Sequence, residues 1–307
     1  MRPDQAERME YNVDYSQDTE YSAHARLLQS KWRHAKGYPM GKYGNYLEGA
    51  FAKTAKVNFL TKRIQALATD EMINAKSSKA LYDEGRMWSN LLSSQPLCFN
   101  LFGELSHDMK AATACFRQLF PDRIQHVNAV RFEYSPGREN PKYTGDRSAF
   151  DVFVEYERDG IKGFIGIEVK YAEALREESA KNAEASFRKH RGRYEELSRP
   201  ELGVFKSDSI ERLRRPPLSQ IWRDHLLAIA LMEHESRTYE EGLFVFLFPS
   251  QNRQCQNGVD AYAQHLASPD TMCNRFSPRY LEEFIDTIAD YFGTEWSNEL
   301  KSRYLGT

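Results

Sequence analysis

The stretch Ser148-Ala149-Phe150-Asp151-Val152-Phe153-Val154-Glu155-Tyr156, followed by Glu157-Arg158-Asp159-Gly160-Ile161-Lys162-Gly163 and Phe164-Ile165-Gly166-Ile167-Glu168-Val169-Lys170-Tyr171, decides the fold. Two runs rich in Val, Ile, Phe and Tyr flank an Asp-Gly pair, the strongest short-range signal for a β-hairpin. If Asp159-Gly160 forms a two-residue turn, Arg158 faces Ile161 and Asp151 lies directly opposite Glu168. Lys170 then sits two residues further along, on the same face. A four-residue loop ending at Gly163 would instead set Asp151 against Lys170, with Glu168 as its diagonal neighbour.

The other face carries Val152, Val154, Tyr156, Ile165, Ile167 and Val169, an apolar surface expected to pack against a helix. A slip of one residue would exchange the two faces, so the register is well specified. Opposed carboxylates repel across a strand pair and are a poor purely structural choice. A divalent cation removes the conflict, because hard cations such as Mg²⁺ favour carboxylate oxygens and keep several waters. The plainer alternative is a surface salt-bridge set worth little energy. The apolar residues on both sides of Glu168-Val169-Lys170 weigh against it, since they suggest a strand covered on both faces, where charges are costly.

An Asp at the start of one strand and Glu-x-Lys on the next resembles the signature of the PD-(D/E)XK nuclease superfamily, whose fold is restriction-endonuclease-like. Asp151 matches the first acid, Glu168 the second and Lys170 the lysine, while Phe150 stands where the signature has proline. The resemblance implies an α/β fold, a mixed β-sheet flanked by helices, and metal-assisted phosphodiester hydrolysis. Asp151 and Glu168 would hold Mg²⁺ or Mn²⁺, and Lys170 would orient water or stabilise charge.

Two further elements extend the resemblance. Pro216 to Met232 reads as a helix with prolines at its entry and Ser219 as a candidate cap; Gln220 and Arg223, three apart, share a face. Superfamily members often carry such a Gln and Arg pair behind the active-site strands, which would give these two a role in organising the site or contacting phosphate. The alternative is a polar edge on a buried helix. Glu104, within the mainly apolar stretch Pro96 to Leu105, is a candidate third metal ligand, with Glu48 behind it; an ordinary solvated glutamate is the alternative.

Composition limits the remaining choices. The chain has 307 residues, 41% hydrophobic, 13% aromatic and 28% charged, with a net charge of −2, enough for a substantial core. No apolar run approaches the roughly 18 residues of a membrane span and the polar start lacks a signal-peptide core, so a soluble cytoplasmic protein without a membrane partner is expected. Cys98, Cys115, Cys255 and Cys273 are dispersed without zinc spacing, and free thiols are expected. His234-Glu235 lacks the rest of a zinc-protease motif, and no phosphate loop of the Gly-x-x-x-x-Gly-Lys-Ser/Thr type occurs.

Two basic clusters, with Arg188, Lys189, Arg191 and Arg193 in one and Arg214 and Arg215 in the other, lie between the hairpin and the Gln220 helix and are candidates for phosphate contacts. Solvated helix faces are the alternative. The coarse pattern divides the chain into a helical N-terminal extension, 1–95, and a nuclease-like core, 96–307. A strand is expected over Ile124 to Tyr134, a charged helix over about Glu173 to Leu197, and a buried strand over Leu243 to Phe248. Helices over Val259 to Leu266 and Arg279 to Phe292 finish the chain. The resemblance covers about Glu104 to Phe248; the first 95 residues would cap the core, form a homodimer, or read DNA. The expected activity is that of a metal-dependent nuclease acting on nucleic acid, with DNA the favoured partner. A catalytically silent binding member of the same fold and a small-molecule phosphodiesterase are the rivals.

Overall fold

The computed structural model describes every residue except 174, 176–178, 269, 271–273 and 307; Cys273 and part of the first turn expected for the helix from Glu173 therefore lie outside the described residues. In chain order the first helices are α1 (Gln5–Glu10), α2 (Glu20–Ala35), α3 (Gly49–Ala55), α4 (Lys62–Ser78), α5 (Glu84–Trp88), α6 (Ser94–Phe102) and α7 (Met109–Leu119). Strands β1 (His126–Tyr134), β2 (Phe150–Arg158) and β3 (Ile161–Val169) follow, then α8 (Ala180–Leu197), α9 (Ile210–Leu213) and α10 (Ser219–Glu233). The chain ends with β4 (Glu241–Phe248), α11 (Arg253–Ala263), β5 (Phe276–Tyr280), α12 (Leu281–Phe292) and α13 (Glu295–Tyr304).

The strands form one sheet in the order β1-β2-β3-β4-β5. The first three are antiparallel, and β4 and β5 join in parallel. This is the mixed, helix-flanked α/β sheet expected. Asp159 and Gly160 turn the hairpin with φ of 53° and 81°, the left-handed pair a type I′ turn requires. Arg158 faces Ile161 and Val152 faces Ile167, so the two-residue turn is the one formed and the four-residue loop is excluded.

Both faces of β3 are buried, but the aromatic core traced around it lies on the Glu168 side. Phe153, Phe164, Phe244, Phe246 and Phe248 pack there with Ile221, Trp222, Leu226 and Ala230 of α10. α10 thus covers the charged face, and the Val152 face is fully buried as well. Gly166 makes room for the hairpin entry: a Cβ on it would come within 2.4 Å of the Phe150 ring.

The chain separates into two compact units. The helical unit is Met1–Leu119, Tyr171–Glu173 and Leu281–Thr307; the sheet unit is Phe120–Lys170 and Ala174–Tyr280. This partition differs from the boundary expected at residue 95; within the helical unit α6 packs with α4 and α5, α12 with α7 and α13, and α13 with α2. The C-terminal region also holds a strand, β5, and a last helix, α13, that the sequence pattern did not suggest. No helix among the described residues is long and apolar enough to cross a membrane. Cys98, Cys115 and Cys255 are buried, and burial pushes the Cys115 thiol up to about 12.

Candidate active site

β2 and β3 deliver the acidic pair. Asp151, the second residue of β2, lies one residue before the last β2–β3 pair, Val152 with Ile167; it accepts the Val169 N–H through Oδ2 at 2.8 Å, and the charges of Glu168 and Lys170 bear on it. Glu168 is 5% exposed and Lys170 8%. Lys170 stays in strand-like pairing, its N–H donating to the Leu247 carbonyl at 2.8 Å. Its Nζ lies 2.8 Å from Glu168 Oε1.

α10 closes this arrangement. Gln220 Nε2 donates to Glu168 Oε1 at 2.7 Å, and Gln220 Oε1 accepts from Lys170 Nζ at 3.1 Å. Only one amide orientation satisfies both bonds, since a carboxylate accepts and an ammonium donates. The rotation of α10 that brings Gln220 here is fixed by its neighbour Trp222, whose indole N–H donates to Ser198 Oγ at 3.1 Å and whose ring meets Tyr194 edge-on.

The approach to β2 is pinned by Asp146. It accepts from Thr144 Oγ1 at 2.6 Å, from the Ser148 N–H at 2.9 Å and hydroxyl at 2.7 Å, and from Tyr194 on α8 at 2.6 Å. Burial works to raise the Asp146 pKa, but the hydrogen bonds from Thr144, Tyr194 and Ser148 hold it below the ordinary value. Asp146 is therefore a charged peg that holds the loop five residues before Asp151.

Asp151 behaves oppositely. Burial pushes its carboxyl well above the usual range, Glu168 and Glu133 push the same way, and Lys170 and the Val169 N–H only partly offset them. Glu133, which the sequence did not single out, lies on β1 between the residues paired with Phe150 and Val152, with Oε1 2.8 Å from Arg138. A second unanticipated acid is Asp224, one helical turn beyond Gln220. It is 6% exposed, its Oδ2 has no hydrogen-bond partner among the described residues, and its pKa is raised well above normal, first by burial and then by Glu168. The signal for it was the i, i+4 spacing from Gln220, which puts both side chains on one helix face.

Arg223 bears electrostatically on Asp224 and Tyr194. Glu104 is not gathered into this set of contacts. α6 ends at Phe102, and in the helical unit the Glu104 carboxylate accepts from the Thr61 hydroxyl and pairs with Arg63 at 2.7 Å. Glu48 likewise caps α3 through the N–H groups of Ala50 and Phe51.

The basic clusters divide into two kinds. Arg193 donates to the carbonyls of Tyr143 and Lys142, and Arg214 pairs with Glu211 and Glu184 while its guanidinium covers the Phe187 ring, so both are built into the fold. Arg188, Arg191 and Arg215 pair with Glu184, Glu195 and Glu211 but remain 76%, 66% and 61% exposed. Such surface pairs are weak and exchangeable. Lys189 is exposed beside them.

Carboxylate oxygens are the donors a hard dication prefers, and the contacts above leave Oδ1 of Asp151 and Oε2 of Glu168 unused. Among the described residues no three His, Cys, Asp or Glu side chains stand close enough to hold one ion. The donor set thus fits an ion that takes few protein ligands and keeps its waters, the habit of Mg²⁺.

No curated protein and no solved structure matches the chain. The family model described as the PD-(D/E)XK nuclease superfamily matches residues 16–306, far beyond the span from Glu104 to Phe248 on which the resemblance first rested. With that match over nearly the whole length, and a mixed sheet that sets Asp151, Glu168 and Lys170 side by side, the chain belongs to the PD-(D/E)XK nuclease superfamily.

Proposed function

We propose that this protein is a divalent-cation-dependent nuclease that hydrolyses phosphodiester bonds of nucleic acid, DNA being the favoured substrate, at the site built from Asp151, Glu168, Lys170 and Gln220. The observation that carries this reading is the contact triangle of Glu168, Lys170 and Gln220 beside a second buried carboxylate, Asp151. Buried acids in mutual repulsion are an expensive way to stabilise a sheet and a sensible way to hold a cation.

Asp151 and Glu168 would hold Mg²⁺ or Mn²⁺. When bound, such an ion polarises the scissile phosphate and makes water a better nucleophile at neutral pH. Lys170 supplies a fixed positive charge toward the phosphate oxygens as negative charge grows on them; held by Glu168 and Gln220, it needs little reorganisation at that moment. Gln220 holds Lys170 and Glu168 in mutual register and is a positioning residue. Arg188, Lys189, Arg191 and Arg215 lie exposed and able to trade carboxylate partners for phosphates, which supports a polyanionic substrate.

The test is cleavage of supercoiled plasmid and of labelled single- and double-stranded oligonucleotides with Mg²⁺ or Mn²⁺, with Asp151→Ala and Lys170→Ala run alongside. Cleavage that both variants lose is the expected result. Turnover of a small model diester without cleavage of any nucleic acid would reassign the site to a small-molecule phosphodiesterase. Absence of both activities together with absence of cation binding would make the protein a silent binding member of its family.

A further inference from the structure

Asp224 is a buried acid that the contacts above do not explain. It lies within the sheet unit on the same face of α10 as Gln220, which touches both Glu168 and Lys170. The charges that bear on Asp224 most are those of Glu168, Arg223, Lys170 and Asp151, the groups of the site itself and its neighbour on α10. Asp224 is 6% exposed, and its buried Oδ2 has no hydrogen-bond partner among the described residues. A buried oxygen without a donor costs roughly 1–3 kcal/mol, more when charged, and three carboxylates around Lys170 add repulsion to that cost.

We infer that Asp224 is a further carboxylate of the cation site, reaching the ion through a water of its hydration shell and orienting that water. The inference rests on the cation-dependent reading above and deepens it. A water donor satisfies Oδ2, which no group of the described residues does, and the ion's charge offsets the crowding of acids. The link runs through water because no three acidic side chains are close enough to grip one ion directly among the described residues. A cation that retains most of its hydration offers such donors in plenty, and partners of this outer kind commonly govern affinity as strongly as the position of a direct ligand does.

The experiment is Mn²⁺ binding to the full chain by titration calorimetry and by electron paramagnetic resonance, with thermal melts with and without Mn²⁺. It compares wild type, Asp224→Asn and Glu168→Gln. Asp224→Asn keeps size and shape but replaces one oxygen with an NH₂ donor. It is expected to weaken Mn²⁺ binding about 10–100-fold and to shrink the Mn²⁺-induced rise in Tm, while its metal-free Tm stays at or above that of wild type. An unchanged Kd in Asp224→Asn, with Glu168→Gln impaired, would overturn the role of Asp224 and leave the cation site standing. A lower metal-free Tm with an unchanged Kd would mark Asp224 as a packing residue and overturn it too. Failure of wild type itself to bind Mn²⁺ would overturn both readings.

Discussion

Each unit of this protein buries a polar cluster, and the two clusters are finished to different degrees. In the helical unit Arg303 is fully buried, yet its guanidinium donates from Nε to Gln29 and from Nη1 and Nη2 to Asn58. Its flat face covers Trp32 at 4.4 Å. Gln29 returns a bond to the Arg303 carbonyl and reaches Tyr171, and Asn100 joins Asn58 to Tyr304. The network closes on itself. In the sheet unit Glu168, Lys170 and Gln220 close a triangle, beside which Asp151 is pressed upward in pKa and Asp224 keeps an oxygen without a donor among the described residues. A cluster that serves only the fold is satisfied within the fold; one that awaits a ligand carries a deficit that the ligand removes.

The contrast can be broken most directly by one substitution in each unit. Arg303→Met should cost about 3–5 kcal/mol in urea unfolding, since it strands Gln29 and Asn58 in the interior. Asp151→Asn, at a half-buried position, should leave metal-free stability unchanged or raised. Comparable losses from the two would erase the distinction drawn here.

On activity the order reverses. Lys170→Met should lower the rate of plasmid nicking about 10²–10³-fold, the usual cost of removing one fixed charge donor from a reacting phosphate or oxyanion, whereas a hydrophobic repacking near Arg303 that preserves folding should leave it nearly untouched.

Acid should also tell the units apart. His225, in the aromatic core beside Phe244 and Phe276, is held neutral by burial, its pKa lowered to about 3. A histidine with a depressed folded pKa supports the fold above its unfolded value near 6.5 and loses that support as pH falls. Between pH 7 and pH 5 the loss from this one residue amounts to about 2 kcal/mol. His225→Phe should therefore flatten the fall in unfolding free energy across that interval; an unchanged slope would mean His225 accepts protons in the folded state.

The smallest effect is expected at Glu104. Glu104→Gln should cost about 1 kcal/mol or less, the scale of a partly exposed pair with Arg63, and leave Mn²⁺ affinity as in wild type. A loss of Mn²⁺ binding there would bring Glu104 into the metal site after all.

Much of the site was legible because it is local. The Asp159-Gly160 turn fixes the register as far as Val152 and Ile167, the residues next to Asp151 and Glu168. Gln220 was legible from helix periodicity joined to family resemblance. Asp224 escaped because a lone acid between Arg223 and His225 resembles any polar helix position; its depth depends on the packing of α10 against β4, a later strand. β5 escaped because it is five residues long and contains Pro278, which removes a backbone donor. The placement of α12 and α13 among the N-terminal helices escaped for a different reason: no local pattern encodes a partner nearly the whole chain away.

That last feature bears on how the protein is made. The bonds between Gln29 and Arg303 join residues 274 apart in sequence, and Tyr171 supplies a third, middle piece of the same network. At ribosomal rates of ~5–20 residues per second, roughly 15–55 s separate the synthesis of one end of this network from the other. During that interval the N-terminal helices lack the arginine around which their interior is built, while the whole of the hairpin, α10 and β4 has already emerged. The sheet unit is thus synthesised complete before the helical unit can close, because the segment that carries Arg303 to Gln29 follows it in the chain.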